Sequence, residues 1–465
     1  MALPCSTKIL EFCQVLPAYD SPESATEFSL PLTFFDIFWL KLSPVQRLFF
    51  YQLTGPSATP TFFNTVILPK LKHSLSLTLF HFLPLVGRLT WPPNCPKPFI
   101  LYTPNDGVPL TVAESDADFD RLSSDDILDA VELHPYVPDL PVSDTMASIL
   151  ALEITLFPNK GFSIGYSINH AVLDGKSITM FMKSWAYMSK HGENGKQNTS
   201  ILPEELAPFF DRNGIKDPLE LGNLFLRQWE SLSESEPMIN SRSLKLLPQL
   251  GADIKKVRST FHLTREEIIK LKNKVLSQLE NPIPLSTFVV TCAYVLVCMV
   301  KAKGGDGNRM VWFLFAVDCR RRLDPPLPAN YFGNCVAGHD VFTEARDFME
   351  ENGFSNIAKR LSGVIEGLEK DPLQGAEDKI SSFKSEIRAG MQVIGLAGST
   401  TFDVYGCDFG WGRPKKVEIT SIDKTGAISL TQSRDGNRGI QIGLVLSRDE
   451  MEAFGSLFVD GLKHL

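Results

Sequence analysis

Apolar and polar positions follow two rhythms along this chain, and the changes of rhythm mark its elements. Over residues 61–82 apolar side chains recur at helical spacing, with Thr61 and Asn64 near the start, which predicts a helix. Leu83-Pro84 breaks it, and residues 85–89 read as a turn leading into a strand. Residues 105–145 are acidic and proline-rich, with Asp106-Gly107 and Ser123-Ser124-Asp125-Asp126, and read as turns with one short surface helix. Residues 147–157 are apolar and β-branched, Lys160-Gly161 supplies a turn, and residues 162–168 are a second strand. The pair predicts a hairpin that carries Asn169 and His170 at its end. A helix follows over residues 177–188. Residues 189–200 hold almost no apolar side chain and read as an exposed loop or the start of a linker.

Regular patterning resumes with a strand over 257–262. Thr264 can cap the next helix, with Glu266 and Glu267 in its first turn. A strongly apolar helix is predicted for 286–300, a buried strand for 310–317, helices across 345–390, strands through 393–447 and a last helix over 448–462. No fixed-period repeat occurs. Strands and helices mix in both halves, which predicts two α/β domains of similar size, residues 1–190 and 231–465, joined by a crossover through 191–230.

Composition agrees. A chain of 465 residues exceeds one small core, and 43% apolar with 22% charged residues marks a globular protein. The 32 phenylalanines suit a thick core or an apolar channel. A net charge of −8, with no dense basic run beyond Arg320-Arg321-Arg322, excludes a general nucleic-acid surface. The 8 cysteines form no C-x-x-C pair, so neither a metal site nor a thioredoxin-like site is expected, and reduced thiols fit best. The N-terminus lacks a signal peptide, and the longest apolar run, about 14 residues long, is too short to span a bilayer. A cytosolic protein without membrane attachment is expected.

His170-Ala171-Val172-Leu173-Asp174-Gly175 is the first candidate for chemistry. The bare pattern of His and Asp four apart arises by chance roughly half a time in such a chain, and the added Gly lowers that to a few hundredths. A histidine at a strand end is well placed, and an imidazole is mostly free base at neutral pH. The plainer alternative is a structural histidine, and Asp174-Gly175 is also ordinary turn chemistry. Asp408-Phe409-Gly410-Trp411-Gly412 is the second candidate, a channel wall or a tight turn packed by its own aromatics. Its Asp-Phe-Gly is not a kinase signature, because the other kinase motifs are missing. The third is Asp318-Cys319-Arg320-Arg321-Arg322: in a strand Arg320 and Arg322 would share a face, and buried arginines need carboxylates, so pairs with Asp174 and Asp408 are expected. The fourth is Ser286-Thr287, at the start of the apolar helix, which would cap it or bind a phosphate; Lys255, Lys256 and Arg258 would add charge for a nucleotide.

Together these motifs resemble the plant acyl-CoA-dependent acyltransferases of the BAHD family. Residues 170–175 match its His-x-x-x-Asp-Gly and residues 408–412 its second signature, in the family's order. Leu32-Thr33-Phe34-Phe35-Asp36, Arg47-Leu48-Phe49-Phe50-Tyr51, Pro84 to Leu89 and residues 418–462 extend the similarity over nearly the whole chain. Tyr331-Phe332-Gly333-Asn334-Cys335 is similar to the clade that acylates anthocyanin, flavonoid and other phenolic glucosides, and residues 408–418 to its malonyl-CoA-using members.

The resemblance implies two chloramphenicol-acetyltransferase-like domains, each a mixed sheet flanked by helices, with a solvent channel between them. It implies that His170 is the general base in direct transfer from acyl-CoA to a sugar hydroxyl, without an acyl-enzyme on Cys407. Asp174 would anchor its loop through an arginine and Asp408 would be structural. Acyl-CoA would be a co-substrate; no metal or permanently bound cofactor is expected, and the protein would be a monomer acting on small molecules. The segment 397–411, with Gly410, or the Trp411 indole would stabilise the oxyanion. For a malonyl donor, Lys176 or Arg413 would meet the free carboxylate. A hydroxycinnamoyl-CoA acyltransferase on the same fold and a non-catalytic ligand-binding relative are the rival expectations.

Overall fold

The computed structural model describes residues 7–18, 26–192, 201–234, 242–247, 255–386 and 390–465. Cys5 and the part of the expected polar loop over 193–200 lie outside them. Two mixed sheets dominate. The first has six strands in the order Thr7–Val15, Val108–Ser115, Leu150–Phe157, Gly161–Ile168, Val45–Gln52 and Lys416–Ile419. The second has seven, in the order Val336–Glu344, Met310–Asp318, Gln392–Ser399, Ile428–Gln432, Ile440–Leu446, Val257–Leu263 and Leu128–Asp129. Both contain parallel and antiparallel pairs. A smaller sheet joins Phe28–Pro31, Phe99–Tyr102, Arg88–Thr90 and Met146–Ser148.

The two large sheets exchange strands. Lys416–Ile419 comes from the second half of the chain and pairs with Val45–Gln52, whereas Leu128–Asp129 from the first half pairs with Val257–Leu263. Each sheet keeps its own core. In the first, Leu68–His81 and Gly175–His191 pack together against the strands. In the second, Thr287–Lys303 is buried over most of its length under Arg448–Lys463 and Gly353–Leu368. That burial explains its apolar run without a membrane. No helix among the described residues is long and apolar enough to cross one.

The hairpin lies where expected: Leu150–Phe157 and Gly161–Ile168 pair antiparallel, and every residue of both is buried. The helix over 61–82 is one continuous run that includes a π-helical stretch at Phe63–Ile67. Residues 105–145 differ from expectation. Val108–Ser115 is a strand between two neighbours, hidden in the sequence by the acidic and proline-rich residues around it. A second difference matters more. Met310–Asp318 ends at Asp318, so Arg320 and Arg322 lie on a turn and share no strand face.

Candidate active site

Gly161–Ile168 runs through the middle of its sheet and ends beside the second half of the chain. The next residues turn tightly: Asn169 donates its N–H to Ile149 O, its side-chain oxygen accepts Ala171 N–H at 3.0 Å, and Val172 N–H returns to Asn169 O. Asp174 then caps Gly175–His191 by accepting Ser177 N–H at 3.0 Å. His170 therefore projects from a rigid bend between a buried strand and a buried helix.

Three residues from distant segments fix it. The Trp39 indole stacks on the His170 ring, with centroids 3.9 Å apart and planes 5° from parallel. Trp39 follows the helical turn Phe34–Ile37, whose first turn is closed by Thr33 and Asp36 in a reciprocal capping pair. Asp36 is fully buried. Its Oδ2 accepts Thr33 N–H and Oγ1–H, both at 2.8 Å, and Arg212 Nη1–H at 2.5 Å; its Oδ1 accepts Asn334 N–H at 3.2 Å and Nδ2–H at 3.0 Å. The second amide hydrogen of Asn334 goes to His170 O at 2.8 Å. Both Nδ2 partners are acceptors, so the amide orientation is settled and Oδ1 is left over. Asn334 Oδ1 and His170 Nδ1 are both buried and neither makes a hydrogen bond, although the Asn334 side chain is close enough to act on the imidazole. Because Nδ1 is shut away, the part of His170 that remains open carries Nε2. Burial holds the imidazole below its ordinary pKa, against the opposing pull of its own carbonyl, Asp174, Asn334 and Asp36.

Asp174 faces away from that chemistry. Its two oxygens take a bidentate grip from Arg320 at 2.9 and 3.1 Å and also accept Cys335 N–H at 3.1 Å. Burial alone would raise its carboxyl, but the Arg320 charge and these hydrogen bonds hold it below the usual range. Arg320, 1% exposed, also donates to Tyr331 O, Gly333 O and Ser177 Oγ, so it pins the bend at 170–175 to residues 331–335.

Other expected residues go elsewhere. Arg322 pairs with Glu369, not with Asp408. Asp408 is a loop clamp: Oδ1 accepts Gly410 N–H and Gly412 N–H, both at 2.9 Å, while Oδ2 meets Lys190 Nζ at 2.6 Å. Gly410 and Gly412 sit at φ 107° and 99°, where a side chain would be strained. Trp411 packs edge-on against Phe162 under Lys70. Phe162 is at the far end of its strand, roughly 20 Å of extended chain from the His170 end. Neither Trp411 nor Gly410 is thus brought to the imidazole. The nearer part of segment 397–411 is Phe402, against Gly175. Cys407 is buried, and that burial pushes its thiol up to about 12.

Ser286 spends its hydroxyl on capping Val289 N–H, and Thr287 receives Lys272. Arg258 is buried against Glu418 and Asp423 and is not free for a nucleotide, whereas Lys256 is half-buried beside it. Lys176 lies 3.4 Å from Asp318, and Arg413 is exposed on a shallow cavity with Asp403, Gln432 and Arg434. An open cavity of about 320 Å3 lies between Phe34, Phe35, Phe38 and Phe225 on one side and Val336–Gly338 on the other.

The comparisons give this arrangement of a histidine-bearing bend between two mixed α/β halves a family. The chain belongs to the Transferase family, the BAHD acyltransferases, whose model matches residues 10–460. It is 44% identical to phenolic glucoside malonyltransferase 1 of Arabidopsis thaliana, covering 99% of this chain and 98% of that one. It is 45% identical to an Arabidopsis malonyl-CoA:anthocyanidin 5-O-glucoside-6''-O-malonyltransferase over 98% and 99%, and 39% identical to agmatine coumaroyltransferase of the same plant over 97% and 98%. Among solved structures, vinorine synthase superposes with TM-score 0.67 at 22% identity, covering 96% of both chains. The enzyme is an acyltransferase, on a fold shared with that structure.

Proposed function

We propose that this enzyme transfers a malonyl group from malonyl-CoA to a sugar hydroxyl of a phenolic or flavonoid glucoside, with His170 as general base. The observation that carries the reaction type is the part-exposed imidazole whose Nδ1 is buried and whose pKa is held down by burial. Such a ring is neutral at pH 7 and presents Nε2 as an acceptor. The donor and acceptor classes rest on the full-length relatives named as phenolic glucoside and anthocyanin malonyltransferases. The phenylalanine-lined cavity would take the flat phenolic part of the acceptor.

A sugar hydroxyl is too weak an acid to ionise first. Its proton passes to Nε2 as the oxygen attacks the thioester carbonyl, and the imidazolium then returns the proton to the departing CoA sulfur. No bond to the enzyme is formed, and Cys407, the cysteine next to the second signature, is buried with its thiol pushed up by that burial.

Release of free CoA from malonyl-, acetyl- and coumaroyl-CoA, each with a phenolic glucoside, tests the reading. Malonyl-CoA should give the highest kcat/KM, and His170→Ala should lose roughly 10²–10⁴-fold. The acid limb of the wild-type profile should fall below the ordinary histidine value of about 6.5, since the neutral form works and burial depresses its pKa. Faster transfer from coumaroyl-CoA would instead favour a hydroxycinnamoyltransferase, a reading that the 39% identical agmatine coumaroyltransferase keeps in view.

A further inference from the structure

Among the described residues, arginines with buried side chains hold carboxylates: Arg212 holds Asp36, Arg258 holds Glu418 and Asp423, and Arg320 holds Asp174. Arg47 breaks the pattern. It is 3% exposed, and its Nε and Nη1 are closed to solvent with no acceptor. Among the described residues no hydrogen bond or ion pair reaches its guanidinium. An isolated buried charge is costly, and folds keep one where something else supplies the counter-charge.

Arg47 has a neighbour in the same condition. It lies directly opposite Tyr166 in the pairing of Val45–Gln52 with Gly161–Ile168. Their side chains share a face, since Gln46 and Ser167 meet on the other one at 2.9 Å and the Arg47 charge is felt at the Tyr166 hydroxyl. That hydroxyl is fully buried and also unpartnered. Two donors are thus held on paired positions of neighbouring strands, each without an acceptor.

Their place relative to the reaction narrows the ligand. Tyr166 precedes His170 by four residues on the same strand and its end, about 13 Å of extended chain. An arginine side chain and a short acyl group bridge that span. In a malonyl thioester the free carboxylate is two bonds from the carbonyl carbon under attack, whereas the phosphates of CoA are a whole pantetheine arm away. We propose that Arg47 and Tyr166 form the pocket for the free carboxylate of the acyl donor, with the guanidinium fork gripping both oxygens and the tyrosine hydroxyl donating a further hydrogen bond. This rests on the malonyl-CoA reading above and replaces Lys176 and Arg413, which are partnered or exposed outside this pocket.

The test compares kcat/KM for malonyl- and acetyl-CoA in wild type, Arg47→Met and Tyr166→Phe, with melting temperature as a control. Arg47→Met should cut the malonyl-over-acetyl preference by roughly 100-fold, mostly through KM for malonyl-CoA. Its melting temperature should not fall, because the change removes an unpaired buried charge. Tyr166→Phe should cut the preference several-fold. If Arg47→Met does not accumulate as folded protein, Tyr166→Phe carries the same test, since it removes a single oxygen. An unchanged preference in the folded variants, or equal losses on both donors, overturns the pocket. A wild type that prefers acetyl- or coumaroyl-CoA overturns the donor reading instead, and the wild-type arm alone shows it.

Discussion

An imidazole that is to accept a proton at Nε2 must hold its own proton at Nδ1. Here the acceptors that act on the buried ring are the His170 carbonyl and the Asn334 side chain. Asn334 is itself immobilised by Asp36 and by the His170 carbonyl. The charges facing the ring are each balanced, Asp174 by Arg320 and Asp36 by Arg212. Removing the Asn334 acceptor should therefore act on the ring directly. An acceptor at Nδ1 favours the protonated ring, so Asn334→Ala should lower kcat roughly 10–100-fold and move the acid limb to lower pH. Asn334→Asp adds negative charge and should move the limb upward. Losses of kcat with no movement of the limb in either variant would show that Asn334 only holds the fold. His170 could be found from sequence because its motif is contiguous. Trp39, Asp36 and Asn334 could not be assigned a role, since Asn334 is 164 residues from His170 and 298 from Asp36 and they meet only in the fold. Asp36 and Asn334 carried one sequence signal, membership of the Leu32–Asp36 and Tyr331–Cys335 motifs, and Trp39 lay outside both.

At the scale of elements, the bend after Gly161–Ile168 and the turn after Met310–Asp318 are locked by one buried ion pair, Asp174 with Arg320. Removing one partner leaves the other charge buried and unpaired, so Arg320→Met should cost about 3–5 kcal/mol of stability, measurable by denaturant unfolding. Activity should fall with it, because His170 stands on the same bend. The pH dependence has a definite sign. Asp174 has a depressed carboxyl, so its contribution is present above its unfolded value of about 3.9 and is lost as pH falls through the lower folded value. The variant should accordingly lose most relative to wild type at neutral pH and least in acid. Elements with clean patterning, such as the hairpin and the apolar helix, were legible in the sequence. The expected pairing with Asp408 failed because it supposed Arg320 and Arg322 to share a strand face, whereas both lie on the turn that follows Met310–Asp318, where side-chain direction no longer alternates.

Across the whole molecule, two sheets that trade strands need a joint where they meet. Arg258, on Val257–Leu263 of the second sheet, reaches Glu418 at 2.7 Å on Lys416–Ile419 of the first, and Asp423 at 3.2 Å just beyond it. Lys416 adds a second cation to Glu418 at 3.3 Å, and the Thr260 hydroxyl donates to the same carboxylate at 3.1 Å. No sequence pattern announces this joint, because its charges lie in segments that alternate like ordinary buried strands. Arg258 was instead read as a candidate for a nucleotide phosphate. Burial would raise the Glu418 carboxyl, but Arg258 and Lys416 hold it low. In Arg258→Met, Glu418 and Asp423 lose that shared cation, and unfolding should become easier by about 3–5 kcal/mol at neutral pH. Glu418 gives stability above its unfolded value of about 4.3, and that stability disappears as pH falls through its depressed folded value, so the gap between variant and wild type should narrow in acid. Because the joint ties one sheet to the other, calorimetry should show the single transition of the wild type separating into two in the variant. A variant that melts in one step at the wild-type temperature would mean that the exchanged strands hold the halves together without the ionic joint.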